Sequence, residues 1–572
     1  MPALTQLLIL ASLILPFLNA QLSSWTSCGT GLECASLSVP LEYSNKLTST
    51  ATASIALIRY NATVNASQRL GSLLVNPGGP GASGVLFVLA GGAALSTLTG
   101  GIYDIIGFDP RGVGSSTPAM ECFATAGEEY TFSSSFPSAP NLWLGSFTNS
   151  SYDSQIQTAI TSFDTSAASL ATACETQASE ALYTSTTAYV ARDMAGIVDA
   201  LDGTDAKLNY WAFSYGTIYL VEFIQLYPER VGRLIADGVF DGVFDAEANA
   251  RTYVSQLPND QVSVQDAMND FISFCSTAGS ANCPFASSSS SVSMKERLDA
   301  IFEDLFLNPV DVSEFSVSLD IFSPFFWSFQ RIPGTWSKLS HILSGLETRN
   351  ATFLVNLLTS QAAAPPTDEN AAGVGTFNEV VLQCIDNAPS SSITVDEIVN
   401  LTKSISVTQD TPLLAADLTP LSFCRNFPDT RPLVANLGIC KITETDAILA
   451  AAKTSILIIN PDHDSTTPLS SAKHLRELLP SSSVLNVRGG PGHTTISLVS
   501  LSLAQTVKAF FVSGTVPEDG AFHSSSQDLF PAGAGESIVE ATASYNGTTT
   551  YTTDEKALMD ATYDVFLAFL AI

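Results

Sequence analysis

The chain has 572 residues and carries 24 basic against 55 acidic side chains, a formal net charge of -31. That excess of negative charge argues against nucleic acid and anionic membrane as partners. Charged residues are only 14% of the chain, so its surface must be mostly Ser, Thr, Asn, Gln and Gly, and its length exceeds the roughly 250 to 300 residues that one core organises, which calls for a second unit.

Residues 1–20 read as a secretory signal, with the apolar stretch Leu7 to Leu18 ending in Leu18-Asn-Ala20 before Gln21. The stretch is short for a membrane span and is broken by Pro16, so a soluble, secreted, extracellular product is expected. Six sequons, at Asn61, Asn65, Asn149, Asn350, Asn400 and Asn546, fit a glycosylated secreted protein. Nine cysteines fit an oxidising compartment, and closeness in sequence makes Cys28 with Cys34, Cys275 with Cys283, and Cys424 with Cys440 candidate pairs. One thiol must be left over. Without a C-x-x-C pair, a zinc site or redox motif is not expected, and no other metal and no cofactor is expected.

Residues 50 to 116 alternate strands with glycine loops. The run Gly71-Ser-Leu-Leu-Val-Asn-Pro-Gly-Gly-Pro-Gly-Ala-Ser-Gly84 is an apolar strand entering a loop whose backbone can approach a substrate and donate to an oxyanion. Its spacing matches neither the dinucleotide fingerprint nor a P-loop. Tyr103 to Asp109 is a second such strand, and Arg111 in the loop after it is expected to hold that loop rather than to catalyse. Met194, Ile197, Val198 and Leu201 have the spacing of an amphipathic helix.

Leu208 to Leu220 contains Phe213-Ser214-Tyr215-Gly216, an apolar strand turning sharply into a helix with serine at the bend, which reads as a nucleophile elbow. The N–H groups opening the following helix would face negative charge forming beside Ser214. Ala212 stands where the usual G-x-S-x-G has its first glycine. Arg233 to Val239 reads as the next strand, followed by more than two hundred residues of helical pattern before Ile456. An insertion at this point would form a cap, and the aromatic run Phe322 to Phe329 is expected to fill its core.

Ser455 to Asn460 has the composition of a buried parallel strand and leads into Pro461-Asp-His-Asp-Ser-Thr-Thr-Pro468. Asp464 is the better candidate to orient a base, lying in the loop at the strand's carboxyl end before a proline that starts a helix. Asp462 is the rival, with a turn-forming role as its alternative. Among five histidines, His493 is the best-placed base, because Gly489, Gly490 and Gly492 make a tight loop at a strand end. His341, His474 and His523 are read as structural, and His463 lacks a second histidine at helical spacing to bind metal. After Phe511 comes a Gly-, Ser- and Pro-rich stretch to Glu536, and the apolar end Val565 to Ile572 is expected to dock as a helix.

These motifs resemble the secreted α/β-hydrolases similar to bacterial tripeptidyl aminopeptidases, relatives of the prolyl aminopeptidases. The resemblance spans roughly residues 25 to 510 and includes Asn76-Pro-Gly-Gly-Pro-Gly81, Gly107 to Ser115, Ala191-Arg-Asp-Met-Ala195, Asp237-Gly-Val239, Cys384-Ile-Asp386, Cys424-Arg-Asn-Phe-Pro428, Asp464 to Pro468 and Gly492-His493. Ala212 and Phe427, the latter where the family usually has tryptophan, depart from it. The resemblance implies an α/β-hydrolase fold, a mostly parallel sheet flanked by helices with a large, mainly helical cap. It makes Ser214 the nucleophile, Asp464 the residue that orients His493, and the N–H groups of Gly79 and Tyr215 the oxyanion hole. The implied activity is that of a serine exopeptidase whose partner is a peptide substrate with a free amino terminus. Recognising a protonated amine calls for buried carboxylates in the cap at a fixed distance from the nucleophile, with Glu379 and Asp386 as candidates and Asp241, after the sheet strand, as another. Two other readings are a carboxylic ester hydrolase with the same triad and a non-catalytic binding protein of this fold, the second opposed by the intact Ser, Asp and His. The expected division is a signal peptide at 1–20, core at 21–241, cap at 242–440, core again at 441–513 and a C-terminal extension at 514–572.

Overall fold

The computed structural model describes residues 21–43, 51–137, 153–241, 257–286, 292–361, 375–386, 393–401, 423–428, 430, 439–532 and 551–572. The signal-peptide reading and the sequons at Asn149 and Asn546 lie outside the described residues.

The strands are β1 (Gln21–Leu22), β2 (Thr26–Gly29), β3 (Leu32–Pro40), β4 (Thr52–Tyr60), β5 (Ser72–Asn76), β6 (Asp104–Phe108), β7 (Leu208–Phe213), β8 (Val231–Asp237), β9 (Val310–Val312), β10 (Phe315–Val317), β11 (Ile456–His463), β12 (Ser483–Pro491) and β13 (Phe522–His523). All but the β9–β10 hairpin join one sheet in the order β1-β3-β4-β6-β5-β7-β8-β11-β12-β13, with β2 beside β3. Pairing is antiparallel from β1 to β6 through β3 and β4, and parallel from β6 to β13. Parallel strands are buried on both faces, which explains the unbroken apolar runs at β5, β6 and β11.

Side chains alternate between two cores with the period of a strand. Leu74, Tyr210, Ala212, Ile456 and Ile458 face the helices Thr187–Asp202, Gly216–Leu226 and Leu469–Leu478. Leu73, Val75, Trp211, Phe213, Leu457 and Ile459 face Gly84–Leu98, Leu501–Ser513 and Thr553–Leu570. The apolar end of the chain is therefore part of the core's second layer, with a helix crossing close enough that a Cβ added at Gly91 would lie 2.9 Å from the Ala568 Cβ.

The cap has its own core. Helices Leu257–Ala278, Met294–Leu307, Leu319–Arg331 and Trp336–Leu346 bury Phe271, Phe302, Phe322, Phe326 and Trp336 together. A second cluster joins Phe163, Leu170 and Leu182 of Asp153–Gln177 and Ser179–Thr184 to Val381, Leu382 and Ile385 of the helix Asn378–Asp386. Residues 153–184, which the sequence reading counts with the core, thus pack against the cap. Disulfides join Cys28–Cys34, Cys122–Cys174, Cys275–Cys283 and Cys384–Cys424, and Cys440 is the free thiol. This corrects the pairing of Cys424 with Cys440. Cys384 lies 40 residues from Cys424 in sequence but 4.6 Å away between Cα atoms, because its helix packs on the Cys424 turn. Among the described residues, no helix is long and apolar enough to cross a membrane.

Candidate active site

Ser214 sits between the end of β7 and the helix Gly216–Leu226 with φ 53°, a left-handed conformation that costs a non-glycine residue about 1 to 3 kcal/mol. Hydrogen bonds hold the bend, from Ser214 N–H to the Asp237 carbonyl and from Thr217 N–H to the Ser214 carbonyl, both at 2.9 Å. A Cβ at Gly216 would lie 2.8 Å from the Asn76 carbonyl oxygen, so the second elbow glycine is required. Ala212, by contrast, is fully buried in the core, and its methyl group is packed there. The missing first glycine is therefore no defect.

The glycine loop after β5 presses on this bend. Asn76 Oδ1 accepts from Gly78 N–H at 2.9 Å, and at Gly78, φ 99°, a Cβ would come within 2.7 Å of both the Phe213 carbonyl oxygen and the Tyr215 nitrogen. Only glycine allows that approach, and it brings the Gly79 segment against Tyr215.

β11 and β12 are parallel neighbours on the same side of the elbow strand, so the loops after them open side by side with the elbow at the strands' carboxyl ends. His493 Nε2 lies 2.8 Å from Ser214 Oγ, and His493 Nδ1 lies 3.0 and 3.1 Å from the two carboxylate oxygens of Asp464. Asp464 also accepts from the N–H groups of Thr466, Thr467 and Thr494 and from the Thr467 hydroxyl, each at 2.8 Å. Burial alone would raise the Asp464 pKa, but His493 and these donors outweigh it and hold the carboxyl below its ordinary 3.8. An ionised Asp464 accepting the Nδ1 proton leaves Nε2 to accept the serine proton.

His493 itself is pushed below its ordinary 6.5, chiefly by burial, with Asp464 opposing and the positive charge of Arg331 contributing. A base must be neutral, so falling pH removes activity only as it passes this lowered pKa. The acid limb of kcat/KM is therefore expected below pH 6.5, and Arg331→Gln should move it upward; a pH–rate profile of each protein checks both.

The histidine loop has a further support. Asp237, at the end of β8, accepts from Thr495 N–H at 2.6 Å and from the Thr495 hydroxyl at 2.7 Å. Burial pushes its carboxyl up to about 7 against those bonds, Trp211 and Arg488. Thr494 between them is held at φ 61°. Neither Asp237 nor Thr467 has a role in the sequence reading. The available signals were the place of Asp237 at the end of the strand beside the elbow and that of Thr467 inside D-x-x-T-P.

The remaining candidates are occupied elsewhere. Asp462 accepts from Gly490 N–H at 2.6 Å, bridging the two loops. His463 Nδ1 lies 2.6 Å from Asp270 of a cap helix, a bond that pushes the imidazole up to about 9. His474 pairs with Asp241 at 3.0 Å, and His523 lies between Ser502 and Asn486. Arg111 is buried against Asp193 at 2.6 Å and the carbonyls of Leu41 and Pro40, a loop anchor. Among the described residues no group of three or more His, Cys, Asp or Glu is placed to hold a metal.

The two cap acids differ. Asp386 accepts from Thr187 N–H and from the Tyr215 hydroxyl, both at 2.7 Å, and from the Thr187 hydroxyl, so the protein already uses both its oxygens. Glu379 is exposed, and its backbone nitrogen would lie 3.2 Å from a Cβ at Gly81 of the glycine loop. Although the residue keeps an exposed face, which departs from the buried acid expected there, the protein around its carboxyl partly desolvates it and raises its pKa, with Arg331 opposing.

Fold and constellation define a serine hydrolase of the α/β-hydrolase class. The family model for the alpha/beta hydrolase fold matches residues 71–265, and that for TAP-like proteins matches residues 439–522. The chain is 25% identical over 522 residues to serine protease Hip1 of Mycobacterium tuberculosis, covering 87% of this chain and 90% of that protein. It is 31% identical over 223 residues to the tripeptidyl aminopeptidase of Streptomyces lividans, 38% of each chain. Over 109 residues it is 45% identical to carboxylesterase B of Mycobacterium tuberculosis, 17% of this chain and 20% of that one. The chain has the α/β-hydrolase fold and is similar to tripeptidyl aminopeptidase-like proteins.

Proposed function

We propose that the protein is a secreted serine exopeptidase that shortens peptides from a free amino terminus through an acyl-enzyme. Ser214 Oγ attacks the scissile carbonyl carbon while His493 Nε2 takes its proton, and the N–H groups of Gly79 and Tyr215 receive the oxyanion. His493 then gives that proton to the departing amine as the C–N bond breaks, and water attacking the ester repeats the cycle and frees Ser214. Asp464 holds the imidazole in the working tautomer.

The exopeptidase part rests on Glu379, whose backbone lies beside Gly81 of the glycine loop and which keeps an exposed face. Export is supported by the four disulfides and by sequons whose asparagines, Asn61, Asn65, Asn350 and Asn400, are all exposed. Aminoacyl and tripeptidyl chromogenic substrates with free and blocked amines test the reading. Free amines should be preferred, and Glu379→Gln should lower kcat/KM on them by about 10- to 150-fold, as for a hydrogen bond to a charged group worth about 1.5 to 3 kcal/mol. Equal rates on blocked and free substrates would reject amine recognition. Mass spectrometry of the products of a peptide library counts the residues removed per cut. A second reading, a carboxylic ester hydrolase, is favoured by the stretch shared with carboxylesterase B. Turnover of short acyl esters without any peptide release would establish it instead.

A further inference from the structure

The helix Thr553–Leu570 lies beyond the residues that either family model matches, yet it ends at the active site. A capping box between Thr552 and Glu555 starts it, and Leu558, Met559, Ala561, Val565, Phe566 and Ala568 bury its apolar stripe. The close crossing of Gly91 and Ala568 fixes where its last turn falls. There, the ring of Phe569 lies 6.0 Å from the His493 imidazole with planes at 64°. It also lies 6.3 Å from Phe213, the residue before Ser214, and 6.4 Å from Phe87, which itself packs on Phe213 at 5.6 Å.

We propose that this C-terminal helix is part of the active site, with Phe569 as a positioning residue that walls the His493 ring off from water and keeps Nε2 turned toward Ser214. The imidazole is 2% exposed, and polar partners hold only its two nitrogens, so its carbon edge needs an apolar neighbour to stay dry. Phe569 supplies one from a helix anchored on the same layer as Phe213, so the nucleophile strand and the base share one aromatic cluster. Such edge-to-face contacts are attractive beyond the area they bury, and a ring packed against the imidazole leaves it less room to turn. The charged groups acting on His493 are Asp464, from the loop after β11, and Arg331, from the cap. The helix's own acids Asp560 and Asp564 are exposed.

The inference rests on His493 being the general base, so His493→Ala is measured alongside. The experiment follows kcat/KM against pH for the wild type, Phe569→Ala and Phe569→Leu, with thermal unfolding of each. Phe569→Ala should raise the acid limb toward the ordinary histidine value and lower kcat/KM at the optimum by about tenfold or more, a fraction of the 10²- to 10⁴-fold that a general base supplies. Phe569→Leu keeps an apolar wall and should leave the limb in place. An inactive His493→Ala beside a Phe569→Ala whose limb has not moved would overturn the inference and leave the base intact, as would a loss of rate that follows unfolding temperature alone. An active His493→Ala would instead remove the base reading itself. Should Phe569→Ala not fold, Phe569→Gln, which fills more of the space than alanine and brings an amide that attracts water, is judged by the same limb.

Discussion

Asp464→Asn should lower kcat by about 10⁴-fold, while Asp462→Asn should stay within about tenfold of the wild type. Around Asp464 every neighbour donates: Oδ1 takes the N–H groups of Thr466 and Thr467, Oδ2 takes Thr494 N–H and the Thr467 hydroxyl, and both face His493 Nδ1. An amide nitrogen on either side meets at least one N–H that cannot turn away. The imidazole can answer only by moving its proton to Nε2, where it blocks acceptance from Ser214. The buried donor left without a partner also costs about 1 to 3 kcal/mol of stability. Asp462 holds a single loop N–H, that of Gly490. Active-site titration and kcat for the two variants decide the matter, and an inactive Asp462→Asn beside an active Asp464→Asn would reverse the assignment.

Gly78→Ala should be nearly as damaging, lowering kcat by about 10²- to 10³-fold, the loss typical of one oxyanion donor. Its methyl group would need the space between the Phe213 carbonyl oxygen and the Tyr215 nitrogen, both 2.7 Å away and both backbone atoms of the elbow. Either the glycine loop lifts off or the elbow deforms, and in both cases the proposed oxyanion donors, the N–H groups of Gly79 and Tyr215, shift relative to each other. Ala212→Gly, which would restore the usual elbow glycine, should not raise activity and should reduce stability by about 0.5 to 1 kcal/mol, the entropic cost of glycine in a strand. Steady-state kinetics with thermal unfolding separates the two effects. A fully active Gly78→Ala would show that the loop does not serve the oxyanion.

The strands and loops that carry the site were legible because their signals are local. A serine between an apolar strand and a helix, glycines after β5 and β12, and an aspartate ahead of Thr467-Pro468 each follow from short-range backbone needs. Local signals do not say which of two nearby groups meets a distant third. Asp462 and Asp464 differ by one alternation of the chain, and only the parallel pairing of β11 with β12 turns Asp464 toward His493. Cys424 was nearer to Cys440 in sequence, yet helix packing gave it to Cys384. Asp386 could be read as a ligand for substrate until its oxygens were found on Thr187 and Tyr215.

By itself, the sequence determined the class of chemistry, because a nucleophile elbow, a glycine loop and a glycine-presented histidine are each forced by sterics within a few residues. Tertiary structure decided the partners: Asp237 behind Thr495, Cys384 beside Cys424, and Phe569 from the end of the chain against His493. The physical reason is that backbone strain and turn geometry act over a few bonds. Hydrogen bonds and aromatic contacts between distant segments depend on which strands lie side by side and which helices cross, and no short stretch of sequence encodes that.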